Sequence, residues 1–121
     1  MTPYDGQHLI ADLHDAAHLT DVAHIEACLI AAAGAAGATL LEVRVYSFGP
    51  GMGVTGVAML AESHISIHTW PEYGSACVDL FMCGSSHDLD AALATIVQRL
   101  SAQVTRRTLL TRSIGSSRPG E

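Results

Sequence analysis

The chain contains no lysine. All six of its basic residues are arginines, at positions 44, 99, 106, 107, 112 and 118 of its 121 residues. A lysine amine forms the Schiff base with pyridoxal phosphate, and a lysine is also the cation of the Walker A phosphate loop. The absence of lysine therefore excludes both chemistries in their usual form. Any reaction through a carbanion needs another electron sink.

Positive charge as a whole is also scarce. Six basic residues against twelve acidic residues give a net charge of −6. A negative net charge is unfavourable for binding the phosphate backbone of a nucleic acid, whereas it would attract a cationic ligand. We therefore predict no nucleic-acid partner.

Cysteines and long apolar runs are few. Cys28, Cys77 and Cys83 form an odd set without CxxC spacing, and the N-terminus lacks the basic start and apolar stretch of a signal peptide. These features predict a protein of the reducing cytoplasm. The longest apolar stretch, 27–38, is interrupted by two glycines, so no membrane-spanning segment is predicted.

Enough apolar sequence remains to build a folded core. Apolar residues make up 49% of the chain and charged residues 15%, a balance typical of globular proteins rather than disordered ones. A length of 121 residues corresponds to one domain. We therefore expect a single domain over residues 1–121.

The periodicity of apolar residues predicts a βαββββαβ order. Strands are predicted over Gly6–Leu13, Thr39–Phe48, Val54–Ala61, His64–Trp70, Ala76–Cys83 and Val104–Arg112. One helix is predicted from Asp21, with Thr20 or Asp21 as N-cap and Gly37 as C-cap. A second helix is predicted from about His87 to Gln103, with Ser86 as N-cap. Hairpin-length loops between the middle strands favour an α+β fold, an antiparallel sheet with two helices packed on one face as a two-layer sandwich.

Alternation along the strands predicts that the other face of the sheet is polar. One face of the fourth strand carries His64, Ser66, His68 and Trp70. The third strand is apolar enough to be buried on both faces, and in the second strand Leu41, Val43 and Val45 alternate with polar residues. The polar face must meet solvent, a ligand or a second copy of the chain.

Side chains that can carry chemistry are concentrated between residues 62 and 83. This segment contains Ser63, His64, His68, Trp70, Glu72, Asp79 and Cys83. Strand serines and histidines are more often surface residues, so spacing alone leaves open whether the cluster is an active site. His64, His68 and Cys83 are a possible Zn²⁺ triad, although no closely spaced ligand pair supports it.

Three segments resemble a known family. They are GQHLIADL near the start, FGPGMGVTGVAMLAESHISIHTWPEYG in the middle, and VDLFMCG after it. These segments are similar to those of the bacterial S-adenosylmethionine decarboxylase proenzymes, and the similarity covers about Gly6–Thr111. The motif ESHxxIHTWPEYG followed by DxFxCG is specific to that family.

The resemblance implies that the chain makes its own cofactor. In this family the chain cleaves itself before the motif serine, which becomes a covalent pyruvoyl group. Here the cut would fall between Glu62 and Ser63 and would produce a β chain, Met1–Glu62, and an α chain, Ser63–Glu121. The pyruvoyl carbonyl would form the Schiff base with the substrate amine, in place of pyridoxal phosphate and without a metal.

Matching positions in the family motif imply roles for three further residues. Thr55 would support processing by donating to the oxyanion of the self-cleavage intermediate. His68 would accept the α-proton of Ser63 during processing, a task suited to an imidazole. Cys83 would donate the proton that replaces CO₂ during decarboxylation.

The resemblance also implies a substrate and a partner. The substrate would be S-adenosylmethionine, whose decarboxylated form is the aminopropyl donor for spermidine biosynthesis. Phe48 and Trp70 would contact its flat, cationic parts, and Glu72 would bind the ribose hydroxyls. The family also implies a homodimer, with active sites near the contact between protomers.

Two other functions stay open. The same pyruvoyl chemistry could act on ornithine or arginine, which require carboxylates and gain nothing from two aromatic rings. The third hypothesis is a metal- or ligand-binding module that never cleaves itself. No step is assigned to His8, Asp12 or His64.

Overall fold

The computed structural model describes residues 5–83 and 85–115, which form a sheet layer and a helix layer. The elements are β1 (Gly6–His14), α1 (Val22–Ala36), β2 (Leu40–Ser47), β3 (Val54–Leu60), β4 (Ser63–Trp70), β5 (Ser75–Cys83), α2 (Leu89–Arg99) and β6 (Gln103–Arg112). A short 3₁₀ turn, Pro71–Tyr73, connects β4 to β5. The predicted α+β class and the βαββββαβ order are confirmed.

The strands pair in the order β2-β3-β4-β5-β1-β6, and every pair is antiparallel. Strands β2 to β5 form a meander, because their short connections bring consecutive strands side by side. Strand β1 then pairs with both β5 and β6. Strand β4 therefore lies inside the sheet, between β3 and β5.

Both helices pack on one face of the sheet. Residues that alternate along the strands, such as Leu9, Ile65, Ile67 and Leu80, point toward the helices and are fully buried. The opposite face carries neither helix, and we call it the open face. Its central residues, in chain order, are His8, Ile10, Asp12, Thr55, Val57, Met59, His64, Ser66, His68, Cys77, Asp79 and Phe81.

The prediction that the third strand is buried on both faces is wrong. Burial along β3 alternates, so that Val54, Ala58 and Leu60 are buried whereas Met59 is 49% exposed. The reason is that the helices cover only one side of the sheet. An apolar residue on β3 therefore contributes either to the core or to the open face.

The first helix has the predicted ends. The Asp21 side chain accepts a hydrogen bond from the His24 N–H at 3.1 Å, and Gly37 ends the helix in the left-handed conformation with φ 74°. The left-handed conformation favours glycine, because glycine has no Cβ to clash. No helix among the described residues combines the length and the apolar character needed to cross a membrane.

The second helix is shorter than predicted. It spans Leu89–Arg99, and its N-cap is Asp88 rather than Ser86, since the Asp88 carboxylate accepts the Ala91 N–H at 2.9 Å. A carboxylate at this position also interacts favourably with the helix dipole. The helix ends at Leu100, which is buried, and Ser101 then adopts a positive φ of 50°.

The pairing of β2 departs from simple alternation at its start. A register shift between Leu40 and Glu42 leaves Leu41 63% exposed, so the expectation that Leu41 alternates in phase with Val43 and Val45 is wrong. An irregularity of this kind changes the face to which a side chain points. The sequence also predicts a frayed tail rich in Gly, Ser and Pro over residues 114–121, of which 116–121 lie outside the described residues.

Candidate active site

A cavity of about 330 Å³ opens where β4 begins and β5 ends. We call it the cleavage pocket, and Glu62, Ser63 and Cys83 are among its lining residues. The remaining lining residues are Asp5, Gly6, Leu60, Ala61, Phe81, Met82 and Ile114. The structure therefore brings together three of the predicted site residues, two of them at the predicted scissile bond.

Ser63 has an unusual backbone. It is the first residue of β4 and has a φ of 154°, a positive value that residues with a side chain rarely adopt. Strained conformations of this kind cluster at functional sites, where the surrounding structure holds them in place. The Ser63 hydroxyl lies 3.4 Å from Nδ1 of His64.

The Glu62 carboxylate is fixed from two sides. The Thr39 N–H donates to Oε1 at 3.0 Å, and Nε2 of His87 lies 3.5 Å from Oε2. The Thr39 hydrogen bond lowers the pKa of the Glu62 carboxyl, and the charge of His87 acts in the same direction. His87 also contacts the Cys83 carbonyl through Nδ1, at 2.9 Å. Its imidazole therefore connects Glu62 to Cys83.

Cys83 has an environment suited to proton transfer. The Ser85 hydroxyl lies 3.2 Å from its sulfur. Hydrogen bonds from Ser85 first, and then Ser86, lower the pKa of the Cys83 thiol to about 7. Burial instead raises the pKa of the Cys28 thiol to about 11, and it also raises the pKa of the Cys77 thiol. At neutral pH Cys83 can therefore both hold and release a proton.

A second cavity lies at the other end of β4. We call it the aromatic pocket, and the predicted residues Phe48, Thr55, His68, Trp70 and Glu72 all line it. It is completed by Met52, Gly53, Val54 and Thr69. The Thr55 hydroxyl lies 3.1 Å from Nδ1 of His68, and the rings of His68 and Trp70 are 6.4 Å apart.

The backbone around the aromatic pocket depends on a close approach of two strands. A Cβ on Gly53 would collide with the carbonyl oxygen of Thr69. The Thr69 hydroxyl is buried, where it accepts the Val54 N–H at 2.9 Å and donates to the Leu19 carbonyl at 2.7 Å. These contacts fix the start of β3, and with it Thr55, against the end of β4.

The two pockets share no lining residue among the described parts of the chain. Ser63 and His68 are five positions apart on one strand, which corresponds to roughly 16 Å at the usual rise per residue. Within a single chain, the structure therefore does not bring His68 to the α-proton of Ser63. It separates the predicted site into two halves at opposite ends of β4.

The proposed Zn²⁺ triad is not assembled either. His68 pairs with Thr55 in the aromatic pocket, whereas Cys83 lines the cleavage pocket. Among the described residues, the structure instead brings together His8, His64 and Asp79 on the open face. Sequence reasoning missed this grouping, because its members come from three strands and meet only through the register of β1, β5 and β4.

Comparison with known proteins identifies the family. The S-adenosylmethionine decarboxylase family model matches residues 7–113. The chain belongs to this family.

Individual relatives agree with this assignment. The chain is 50% identical to an S-adenosylmethionine decarboxylase proenzyme of Parasynechococcus marenigrum (strain WH8102), over 81% of this chain and 77% of the relative. It is 38% identical to the proenzyme of Pseudomonas paraeruginosa (strain DSM 24068 / PA7), over 95% of this chain and 72% of the relative. The crystal structure of the adenosylmethionine decarboxylase from Aquifex aeolicus VF5 superimposes with a TM-score of 0.77 at 35% identity, covering 96% of this chain and 97% of the other.

The reactivity of the three thiols tests the environment of Cys83. Because the thiolate is the species that reacts with iodoacetamide, alkylation of Cys83 should be half-maximal near pH 7, well before Cys77 and Cys28 react. Substituting Ser85→Ala should move the Cys83 profile to higher pH. The measurement is the mass of the cysteine peptides after brief alkylation across a pH series.

Ser101→Ala is the matched control for this measurement, because Ser101 is an exposed serine beyond α2. It should leave the alkylation profile of Cys83 unchanged. An unshifted profile in Ser85→Ala would show that the neighbouring hydroxyl does not tune the thiol.

Proposed function

We propose that this chain is a pyruvoyl-dependent decarboxylase of S-adenosylmethionine that activates itself by cleavage between Glu62 and Ser63. Membership of the family supports the reaction. The observation that carries the proposal is the cleavage pocket, where the scissile pair and Cys83 line one cavity. The product would serve as the aminopropyl donor for spermidine biosynthesis.

The fold tolerates a cut at this bond. Ser63 is the first residue of β4, and the strand that follows is paired on both sides, with β3 and with β5. The fragments Met1–Glu62 and Ser63–Glu121 would therefore remain held together by strand pairing. Glu62 would stay in place through its contacts with Thr39 and His87.

A pyruvoyl group derived from Ser63 fits the cleavage pocket. Ser63 lines this pocket beside apolar walls from Leu60, Phe81 and Met82. Such a group supplies a carbonyl that binds the substrate amine and accepts the electrons left by the departing carboxylate. The chain has no lysine to supply this chemistry through pyridoxal phosphate.

Two groups of the aromatic pocket have tasks in self-cleavage. The Ser63 hydroxyl attacks the Glu62 carbonyl, and the developing oxyanion requires a hydrogen-bond donor such as the Thr55 hydroxyl. His68 accepts the Ser63 α-proton in the elimination that follows. Because Thr55 and His68 are hydrogen-bonded to each other, they would approach the serine as one unit.

A second copy of the chain would bring the two halves of the site together. When two open faces stack about a twofold axis that runs across the strands, the start of β4 in one copy lies opposite the end of β4 in the other. Each cleavage pocket then faces the aromatic pocket of its partner. The open face has apolar side chains for such a contact, namely Ile10, Tyr46, Met59, Trp70 and Leu110, all more than a third exposed.

The aromatic pocket supports S-adenosylmethionine as the substrate. Phe48 and Trp70 expose 56% and 41% of their surface, so their rings are accessible to an adenine base and a sulfonium cation. Glu72 places a carboxylate beside them for the ribose hydroxyls. Ornithine or arginine would require several carboxylates, whereas Glu72 is the only carboxylate that lines the described pocket.

Cys83 completes the reaction as the proton donor. Its thiol lines the same pocket as Ser63, so it can protonate the α-carbon after CO₂ has left. A donor must carry its proton, and the pKa of about 7 means that the protonated fraction falls as the pH rises above neutrality. The protonation step should therefore slow in alkaline solution.

Intact mass under denaturing conditions tests self-cleavage. The wild-type protein should give two fragments separated at the Glu62–Ser63 bond, and borohydride should add two hydrogens to the C-terminal fragment. Ser63→Ala should give one intact chain, because the nucleophile is missing. Ser66→Ala, a serine on the same strand, should be cleaved like the wild type, and Cys83→Ala should still be cleaved substantially.

A single uncleaved mass for the wild type would overturn the proposal. It would favour the binding-module hypothesis instead. Cleavage at the same bond in Ser63→Ala would remove the serine from its assigned role.

Release of CO₂ from carboxyl-labelled substrates tests the specificity. We expect release from S-adenosylmethionine and not from ornithine or arginine, and loss of most of this release in Cys83→Ala. Trp70→Ala should raise the KM for S-adenosylmethionine by roughly 3- to 30-fold, as expected from the loss of a cation–π contact.

Tyr73→Ala provides the matched control, because Tyr73 is an exposed aromatic residue outside the lining of the aromatic pocket. It should leave the KM unchanged. Faster release from ornithine or arginine would assign the chain to the alternative substrate class.

A further inference from the structure

A continuous row of polar side chains crosses the open face and ends at Ser63. It consists of Ser63, His64, Asp79, His8 and Arg112, contributed by β4, β5, β1 and β6. The self-cleavage mechanism described above uses only the serine. We call this row the open-face relay.

Each neighbouring pair in the open-face relay is in hydrogen-bonding contact. Nδ1 of His64 lies 3.4 Å from the Ser63 hydroxyl, and its Nε2 lies 3.5 Å from Oδ2 of Asp79. The other carboxylate oxygen of Asp79 contacts Nε2 of His8 directly. Nδ1 of His8 is 3.2 Å from the guanidinium of Arg112.

The chemistry of Arg112 sets the direction of every hydrogen bond in the relay. A guanidinium only donates, so Nδ1 of His8 must accept, and the proton of a neutral His8 lies on Nε2 and points to Asp79. The second oxygen of Asp79 then accepts the Nε2 proton of His64. Nδ1 of His64 is left unprotonated and faces the Ser63 hydroxyl, which donates to it.

Phe81 holds the rings of the relay in position. It stacks on His8 with ring centroids 5.1 Å apart and meets His64 edge-on at 6.0 Å. The guanidinium of Arg112 lies over the same ring, 5.6 Å from its centroid. Gly6 lies against Phe81, and a Cβ at that position would collide with the ring. The relay is therefore supported by packing as well as by hydrogen bonds.

We propose that His64 is the general base that activates Ser63 for self-cleavage, and that Asp79 and His8 position it. This proposal rests on the proposed self-cleaving function and assigns a residue to its first step. His68 acts later, on the α-proton, and belongs to the other pocket. The two histidines of the motif therefore serve successive steps from opposite ends of β4.

The step balances without any other reactant. The Ser63 hydroxyl proton moves to Nδ1 of His64, and the oxygen forms a bond to the Glu62 carbonyl carbon. The bond between that carbon and the Ser63 nitrogen then breaks, and His64 returns the proton to the departing nitrogen. The net change is the conversion of an amide into an ester, and His64 ends in its original state.

The groups that face the His64 ring favour this role. Asp79 from β5 and His8 from β1 face it, with Arg112 from β6 beyond them, while the neighbour on β3 is the uncharged Met59. A carboxylate beside the imidazole stabilises the cation formed when Nδ1 takes the serine proton. The side chain of His8 is only 16% exposed, so its contact with Asp79 is largely shielded from water.

His8, His64 and Asp79 could alternatively hold a metal ion, since their ligand atoms all lie within 4.8 Å of one another. His8 and Asp79 are already hydrogen-bonding partners of each other, as the relay requires. The two possibilities differ in the effect of a chelator. Self-cleavage by the relay should proceed unchanged in EDTA and without added Zn²⁺.

The test compares His64→Gln with His68→Ala in the full chain, refolded from denaturant and followed by intact mass. Cleavage in His64→Gln should slow by about 10²- to 10⁴-fold, the usual contribution of a general base. Neutral hydroxylamine cuts an ester but not an amide. It should therefore leave His64→Gln intact and cut His68→Ala at residue 62, because only the second variant forms the ester.

A pH series separates a chemical role from a structural one. The wild-type cleavage rate should depend on pH through the group that takes the serine proton, and His64→Gln should lose this dependence. Asp79→Asn should retain the pH dependence but cleave more slowly. The control His14→Gln changes an exposed histidine at the end of β1 and should match the wild type. If His64→Gln does not fold, Asp79→Asn and the wild-type pH series carry the test.

The outcomes distinguish this proposal from the function on which it rests. An uncleaved wild type would overturn the self-cleaving function itself. A wild type that cleaves, together with His64→Gln at the wild-type rate, would overturn only the role of His64. Hydroxylamine-sensitive His64→Gln, or cleavage that stops in EDTA, would also overturn it.

Discussion

The arrangement of the candidate site depends on the length of one strand. β4 begins at Ser63, the proposed site of self-cleavage, and carries His68 and Trp70 toward its other end. An extended strand cannot fold back on itself, so its two ends cannot cooperate within one chain. The open face, which carries neither helix and is partly apolar, is the surface on which we propose that a second copy supplies the missing half.

Side chains on both sides of the Glu62–Ser63 bond, the proposed scissile bond, are held by hydrogen-bonding contacts. Thr39 and His87 hold the Glu62 carboxylate, while His64 reaches the Ser63 hydroxyl. His87 also contacts the Cys83 carbonyl, so one side chain links the residue before Ser63 to the end of β5. A site held in this way can be cleaved without being disassembled, because its geometry rests on side chains and strand pairing rather than on the broken bond.

Local features of this fold could be predicted from the sequence. Alternation identified the faces of β4, and the spacing and caps identified α1 and Gly37, because these depend on neighbours a few residues away. Apolar periodicity and loop length supplied the fold class, and the family motif supplied the activity. The role of Asp88 as N-cap and the exposure of Leu41 were not predicted, because both depend on the residue at which a helix or a strand begins in the folded structure. The meeting of His8 with Asp79 depends on the register of distant strands, which no single-sequence pattern contains.

Co-expression of two differently tagged variants tests most directly whether two copies build each site. Ser63→Ala lacks the nucleophile and His68→Ala lacks the later base, so neither should be cleaved when produced alone. Produced together, at most about half of the His68→Ala chains should be cleaved, because in a mixed dimer their Ser63 meets the intact His68 of the other copy. If the mixed dimers form and His68→Ala stays uncleaved, the two halves of the site do not come from two chains.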